Sequence, residues 1–134
     1  PLIFADSSFL IAAMDDRDSH HDVAVALLRK WAGHGIVATN QVRGETWTWL
    51  RNRRWHAKAV AFLDSVGGEE HNIQIGWVHE ELEDEALRWL RRHDERVYSF
   101  VDATSFAYMR ARGIGEALAF DGDFAAAGFT ELRP

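Results

Sequence analysis

Four acidic residues stand where an apolar stretch gives way to something else: Asp6 after Leu2-Ile3-Phe4-Ala5, Asp102 after Tyr98-Ser99-Phe100-Val101, Asp121 after Ala117-Leu118-Ala119-Phe120, and Glu45 within an apolar helical pattern. In open α/β sheets the carboxyl ends of neighbouring strands meet at one crevice. Carboxylates gathered there repel: at about 5 Å and an effective dielectric of about 20, each pair costs roughly 3 kcal/mol. Such a group must hold a proton or share a divalent cation. Oxygen ligands without His or Cys suit Mg²⁺ or Mn²⁺, and that chemistry matches metal-assisted phosphodiester cleavage.

Each acid also has a plainer reading. Asp6, before Ser7-Ser8, and Asp102, before Ala103-Thr104-Ser105, are both good helix N-caps. Asp121-Gly122 is an ordinary turn signal, and Asp123 after it is expected in solvent or behind the site. Glu45 shares a helix face with Val42 and Trp49, so it lies at a core margin or in a cleft. It is the convergence of all four that favours a metal site. Ser7 and Thr104 are expected to orient the acids or a metal-bound water. Gly-x-Ser-x-Gly, the phosphate-binding loop and the dinucleotide fingerprint are all absent.

The elements that must position these acids alternate. Strands are expected at residues 2–5, 36–39, 73–78, 118–120 and 129–132. Between them fall a short helix at 7–14, one capped by Asp18 or Ser19, and one opened by Thr39 or Asn40. Further helices cover 57–66, 80–93 and the stretch from Asp102 to Gly113, with a single turn at 124–127. This order predicts α/β class: a three-layer α/β/α sandwich with a mostly parallel central sheet, in one domain over residues 1–134.

With 134 residues, 47% apolar and 27% charged, the chain has the balance of a globular protein. It contains no cysteine, so disulfides, thiolate zinc sites and cysteine nucleophiles are excluded. Its seven histidines show no ligand spacing. No apolar run approaches a membrane span, no basic leader-like stretch precedes the first strand, and a cytoplasmic location is expected. A net charge of −6 disfavours coating nucleic acid with a broad basic face. Arginines nevertheless cluster at 51, 53 and 54, at 88, 91, 92 and 96, and at 110 and 112; any one cluster can grip a phosphate backbone or simply be a solvated helix face. Of the six tryptophans most are expected in the core, although Trp47 and Trp49 cannot share one helix face.

Taken as a set, Phe4-Ala5-Asp6-Ser7-Ser8-Phe9, Asn40-Gln41-Val42-Arg43-Gly44-Glu45-Thr46, Tyr98 to Phe106 and Ala119-Phe120-Asp121-Gly122-Asp123-Phe124 resemble the PIN-domain ribonucleases, and within them the VapC-type toxins of bacterial toxin–antitoxin pairs. The likeness runs nearly end to end. It implies a parallel sheet flanked by helices, a homodimer, Mg²⁺- or Mn²⁺-dependent cleavage of structured RNA, and inhibition by a VapB-like antitoxin. It further implies that Asp6 and Asp102 are the principal metal carboxylates, that Asp121 completes the acidic pocket, and that Glu45 binds metal or orients the attacking water. Family substrates include transfer RNA and the sarcin–ricin loop, and overall likeness leans to the latter. Two other readings compete. A receiver-type signalling domain needs adjacent acids after its first strand, where Ser7 and Ser8 stand, and a lysine at its last core strand, where Asp121 stands. An inactive PIN-like binding module has no need of an intact acidic set.

Overall fold

The computed structural model describes residues 1–68 and 72–134. In chain order the elements are β1 (Leu2–Ala5), α1 (Ser7–Met14), α2 (His21–Trp31), β2 (Gly35–Thr39), α3 (Asn40–Asn52), α4 (His56–Ser65), β3 (Ile73–Gly76), α5 (Glu80–Arg92), α6 (Phe100–Arg112), β4 (Glu116–Leu118), α7 (Asp123–Ala126) and β5 (Thr130–Glu131). All strand pairings are parallel, in the order β3-β2-β1-β4-β5. The expected α/β architecture is therefore present, and the sheet is wholly parallel rather than mostly so.

The order explains where a site must lie. From β1 the chain moves outward to β2 and β3, then returns to the other side of β1 for β4 and β5. Right-handed crossovers in these two directions place helices on opposite faces. The gap between β1 and β4 is the switch point, and ligand crevices open there at the strands' carboxyl ends. Asp6 follows β1 directly, and Asp121 comes shortly after β4.

Local sequence accounts for most elements. β1 and β2 are continuous apolar runs because both sheet faces are covered, leaving Phe4, Ala5, Ile36 and Ala38 buried. Helix α5 opens with Glu80, Glu81 and Glu83 and closes with Arg91 and Arg92, which matches the helix dipole, while Ala86 and Trp89 face inward. Helix α6 is buried along residues 102–109 and ends at Gly113, whose φ of 68° provides the left-handed cap. Phe4, Phe106 and Phe124 join sheet to helices through ring contacts of 5.8 and 4.9 Å.

Several expected boundaries move, each for a tertiary reason. The fourth strand covers Glu116–Leu118, not 118–120. Beyond Leu118 its neighbour β1 has already turned into α1, so the Phe120 N–H bonds to Ser8 Oγ instead of a strand. The third strand stops at Gly76 because Asn40 Oδ1 takes the Val78 N–H at 2.7 Å and draws the chain away. Neither Asp18 nor Ser19 caps α2; the N-cap is His20, and Asp18 Oδ1 accepts the His20 N–H in the preceding turn. The tryptophan expectation holds for four of the six: Trp89 is buried and the half-buried Trp31, Trp47 and Trp55 pack against the core, while Trp49 and Trp77 are exposed. Cations on their faces replace the missing core contacts, as with Arg53 over Trp49 and Arg43 over Trp77.

Candidate active site

Asp6 ends β1 and caps α1. Its Oδ2 accepts hydrogen bonds from the Ser8 N–H at 3.3 Å and from Ser8 Oγ at 2.8 Å, so the plain capping role is real. Its Oδ1, however, is buried without any hydrogen-bond partner. The residue is 1% exposed. Burial pushes its carboxyl up to about 8, with Asp121 and Asp102 adding repulsion and the Ser8 hydroxyl opposing it. A cap alone needs one oxygen and no neighbouring acids, so the cap reading leaves half of this side chain unexplained.

Asp102 is not the cap of α6. Ser99 is, and Asp102 occupies the third position of a reciprocal capping box: the Asp102 N–H donates to Ser99 Oγ at 2.9 Å, and the Ser99 N–H donates to Asp102 Oδ2 at 3.1 Å. One oxygen is thus engaged by the backbone. Burial, with repulsion from Asp121 and Asp123, raises this carboxyl to about 6 against the opposing pull of the Ser99 hydrogen bonds. The Ser-x-x-Asp pattern was readable in the sequence, and Ser99 is the orienting residue that sequence reasoning passed over.

Asp121, Gly122 and Asp123 form one tight unit. Gly122 takes a φ of 81°, which lets the Asp123 N–H reach back to Asp121 Oδ1 at 3.1 Å. Both acids consequently face the same side. Carboxylate oxygens of Asp102, Asp121 and Asp123 all lie within 4.8 Å of one another. Asp123, expected in solvent or behind the site, therefore stands in this cluster, gripped at Oδ1 by Arg96 through Nε at 3.0 Å and Nη2 at 2.8 Å. Asp121 too is raised, by burial first and then by Asp123 and Glu131, against the Asp123 N–H bond.

Glu45 points across from α3. Its Oε1 accepts the Ser7 hydroxyl at 2.5 Å, tying the start of α1 to the middle of α3. Ser7 thus orients an acid, as expected, whereas Thr104 does not: its hydroxyl donates to the Val101 carbonyl within its own helix. Glu45, Asp102, Asp121 and Asp123 line one open cleft of about 530 Å³, with Trp49, Phe120 and His20 on its walls. Asp6 lies beneath, within electrostatic reach of Asp102 and Asp121.

This donor set fits a divalent cation. An unpartnered buried carboxylate oxygen, three further carboxylates in mutual reach and proton affinities raised by burial and then by like-charge crowding are what a hard, oxygen-seeking ion would relieve.

Comparison with known proteins agrees with the geometry. The PIN domain family model matches residues 3–130. Two Mycobacterium tuberculosis strains have a protein described as a 23S rRNA-specific endonuclease, VapC20, that is 49% identical over 139 residues and covers 99% of both chains. The solved M. tuberculosis VapC20 structure, a sarcin–ricin loop cleaving toxin, superposes with a TM-score of 0.88 at 47% identity, over 98% of this chain and 99% of that one. A toxin–antitoxin complex from Klebsiella pneumoniae shares only the fold, with a TM-score of 0.61 at 12% identity over 86% and 82% of the two chains. With a buried Asp at the end of β1, an acidic cluster at the switch point and these end-to-end matches, the chain belongs to the PIN-domain family, in its VapC-type branch.

Proposed function

We propose that this protein is a metal-dependent endoribonuclease toxin that hydrolyses one phosphodiester of a structured RNA, and that a VapB-like antitoxin neutralises it. The observation that carries the reading is the convergence of Asp102, Asp121 and Asp123 above the buried, half-unpartnered Asp6. By likeness to the VapC20 relative, the sarcin–ricin loop of 23S ribosomal RNA is the expected substrate. A homodimer and a cytoplasmic location follow from the same family reading. No helix among the described residues is long and apolar enough to cross a membrane.

Asp6, Asp102, Asp121 and Asp123 would hold Mg²⁺ or Mn²⁺, which when bound supplies charge neutralisation at a phosphate and acidifies water. Everything else falls to the chain. Glu45, held by Ser7 and facing the same cleft, accepts a proton from the attacking water. Ser99 fixes Asp102 and Ser8 fixes Asp6, so two ligand carboxylates are oriented before any ion arrives. Arg96 offsets part of the charge of Asp123 and steadies the turn through Asp121.

The test is cleavage of a labelled panel of structured RNAs, including a sarcin–ricin hairpin and transfer RNA. It is run with Mg²⁺ or Mn²⁺, with chelator, and with Asp102→Asn. Cleavage at one site that requires both the ion and Asp102 supports the reading. Equal cleavage in chelator and by the variant refutes it. No cleavage, with antitoxin and RNA binding retained, favours an inactive PIN-like module instead.

A further inference from the structure

Beside the acidic cleft lies a second depression of about 630 Å³, lined by Asp15, Arg17, Asp18, Arg53 and Trp55. The two are continuous, because Asp18 lines both and Trp49, on the wall of the first, carries Arg53 on its ring at 3.2 Å. Three cations gather around Trp55: Arg17 at 4.4 Å from the ring centre, Lys58 at 4.7 Å and Arg53 at 5.9 Å. They come from three places in the chain, namely the turn after α1, the end of α3 and the first turn of α4. The buried carboxylate of Asp15 anchors two of them, Arg17 Nε at 3.5 Å and Arg53 Nη1 at 3.6 Å. Both guanidiniums keep an open outer side, with side chains 69% and 42% exposed. Arg54, in the left-handed region with φ 62°, makes the tight α3–α4 turn that sets Arg53 and Trp55 side by side.

We infer that Arg17, Arg53 and Lys58, braced on Trp49 and Trp55, form the binding tract for the RNA strand flanking the scissile phosphate, contacting its backbone and stacking an unpaired base. This rests on the nuclease reading of the neighbouring cleft and names how that site takes its substrate. The physical need is clear. A cleft lined by carboxylates repels phosphates, so affinity must come from an adjacent positive surface. Guanidiniums held over indole rings combine positive charge with delocalised surfaces, which is the combination that receives an unpaired nucleotide. Other arginines are differently engaged: Arg88 pairs with Glu85 at 2.8 Å and Arg96 with Asp123. Arg96 also borders the acids but is taken up by Asp123 there, whereas Arg53 flanks the cleft with its guanidinium bound to none of the cleft's carboxylates.

The experiment measures binding of a fluorescent sarcin–ricin-type hairpin by anisotropy, in an Asp102→Asn background with Mg²⁺, across a salt series. Arg17→Gln with Lys58→Gln is compared with Arg88→Gln with Arg91→Gln, which removes equal charge from the outer face of α5. Arg17→Lys keeps the charge but loses the delocalised guanidinium. Thermal melts confirm folding of each variant. The expected result is about a tenfold weaker Kd for the first pair and a salt slope reduced by about 1 to 2, as for one or two lost phosphate contacts. The α5 pair should shift Kd less than twofold, and Arg17→Lys should fall between. Equal weakening by both pairs would show only generic charge and overturn the tract. So would unchanged RNA affinity in the first pair, including the case where antitoxin capture weakens instead. Absence of cleavage by the unaltered protein strikes the nuclease reading alone, because this comparison reads binding.

Discussion

Replacing Asp6 by Asn should stabilise the metal-free protein, and by an amount that depends on pH. The substitution keeps shape and capping, since Asn caps helices as well as Asp, but removes the ionisable carboxyl. In the folded chain that group titrates at about 8, against 3.8 when unperturbed. Between those values the native state holds a proton that the unfolded chain has released, so wild-type stability falls as pH rises through the window and is fully recovered below about 4. The lost stability amounts to roughly 2 kcal/mol at pH 5 and roughly 4 kcal/mol at pH 7. Against it stands the amide, which places a polar atom where Oδ1 already lacks a partner, a cost of about 1–3 kcal/mol. Asp6→Asn should therefore be near neutral at pH 5 and about 2 kcal/mol more stable at pH 7, or about 7 °C in Tm. Asp102 is also raised, to about 6, and is present in both proteins, so the difference isolates Asp6 to first order. Urea unfolding in chelator at pH 5, 6, 7 and 8 provides the measurement. Excess Mn²⁺ should then reverse the ranking, because the ion stabilises only a chain that binds it. A variant less stable than wild type at pH 7 in chelator, or a difference that ignores pH, would refute the reasoning.

Four further outcomes are expected. Ser7→Ala frees Glu45 by removing its hydroxyl donor; loss of a bond to a charged acceptor, about 1.5 kcal/mol, should lower kcat about tenfold while Mn²⁺ affinity by calorimetry stays put. Ser99→Ala breaks the capping box around Asp102; unfolding should show a loss of about 1 kcal/mol and calorimetry a weaker ion site, and unchanged Mn²⁺ affinity would argue against preorientation. Asp123→Asn should weaken Mn²⁺ binding even though Arg96 pairs with that residue, because its carboxylate lies within reach of Asp102 and Asp121; an unaltered isotherm would return it to a purely supporting role. Gly76→Ala drives a methyl to 2.1 Å from the buried Tyr108 hydroxyl oxygen, so denaturation should report a loss of about 2 kcal/mol.

Much of the fold was legible because its elements are locally encoded. Apolar runs marked β1 and β2, Thr39 announced α3 by capping the Val42 N–H, and Gly113 announced the end of α6. Where tertiary bonds override local pattern, the reading slipped: Asn40 stops β3 early, and Ser8 takes the place of a strand partner for Phe120. Trp49 and Trp77 stay outside the core despite their size, because Arg53 and Arg43 cover their indole faces at the surface.

The identity of Asp6, Glu45, Asp102 and Asp121 as candidate acids, the alternation of strands and helices, and the family itself were determined by the amino-acid sequence. Only the tertiary structure decided that Asp123 stands beside Asp102 and Asp121, that Asp6 sits buried with one oxygen unpartnered, and that Arg17, Arg53 and Lys58 meet around Trp55. The reason is physical. Caps, turns and periodicity are interactions among residues a few positions apart, whereas desolvation and charge repulsion depend on how the order β3-β2-β1-β4-β5 brings remote segments together.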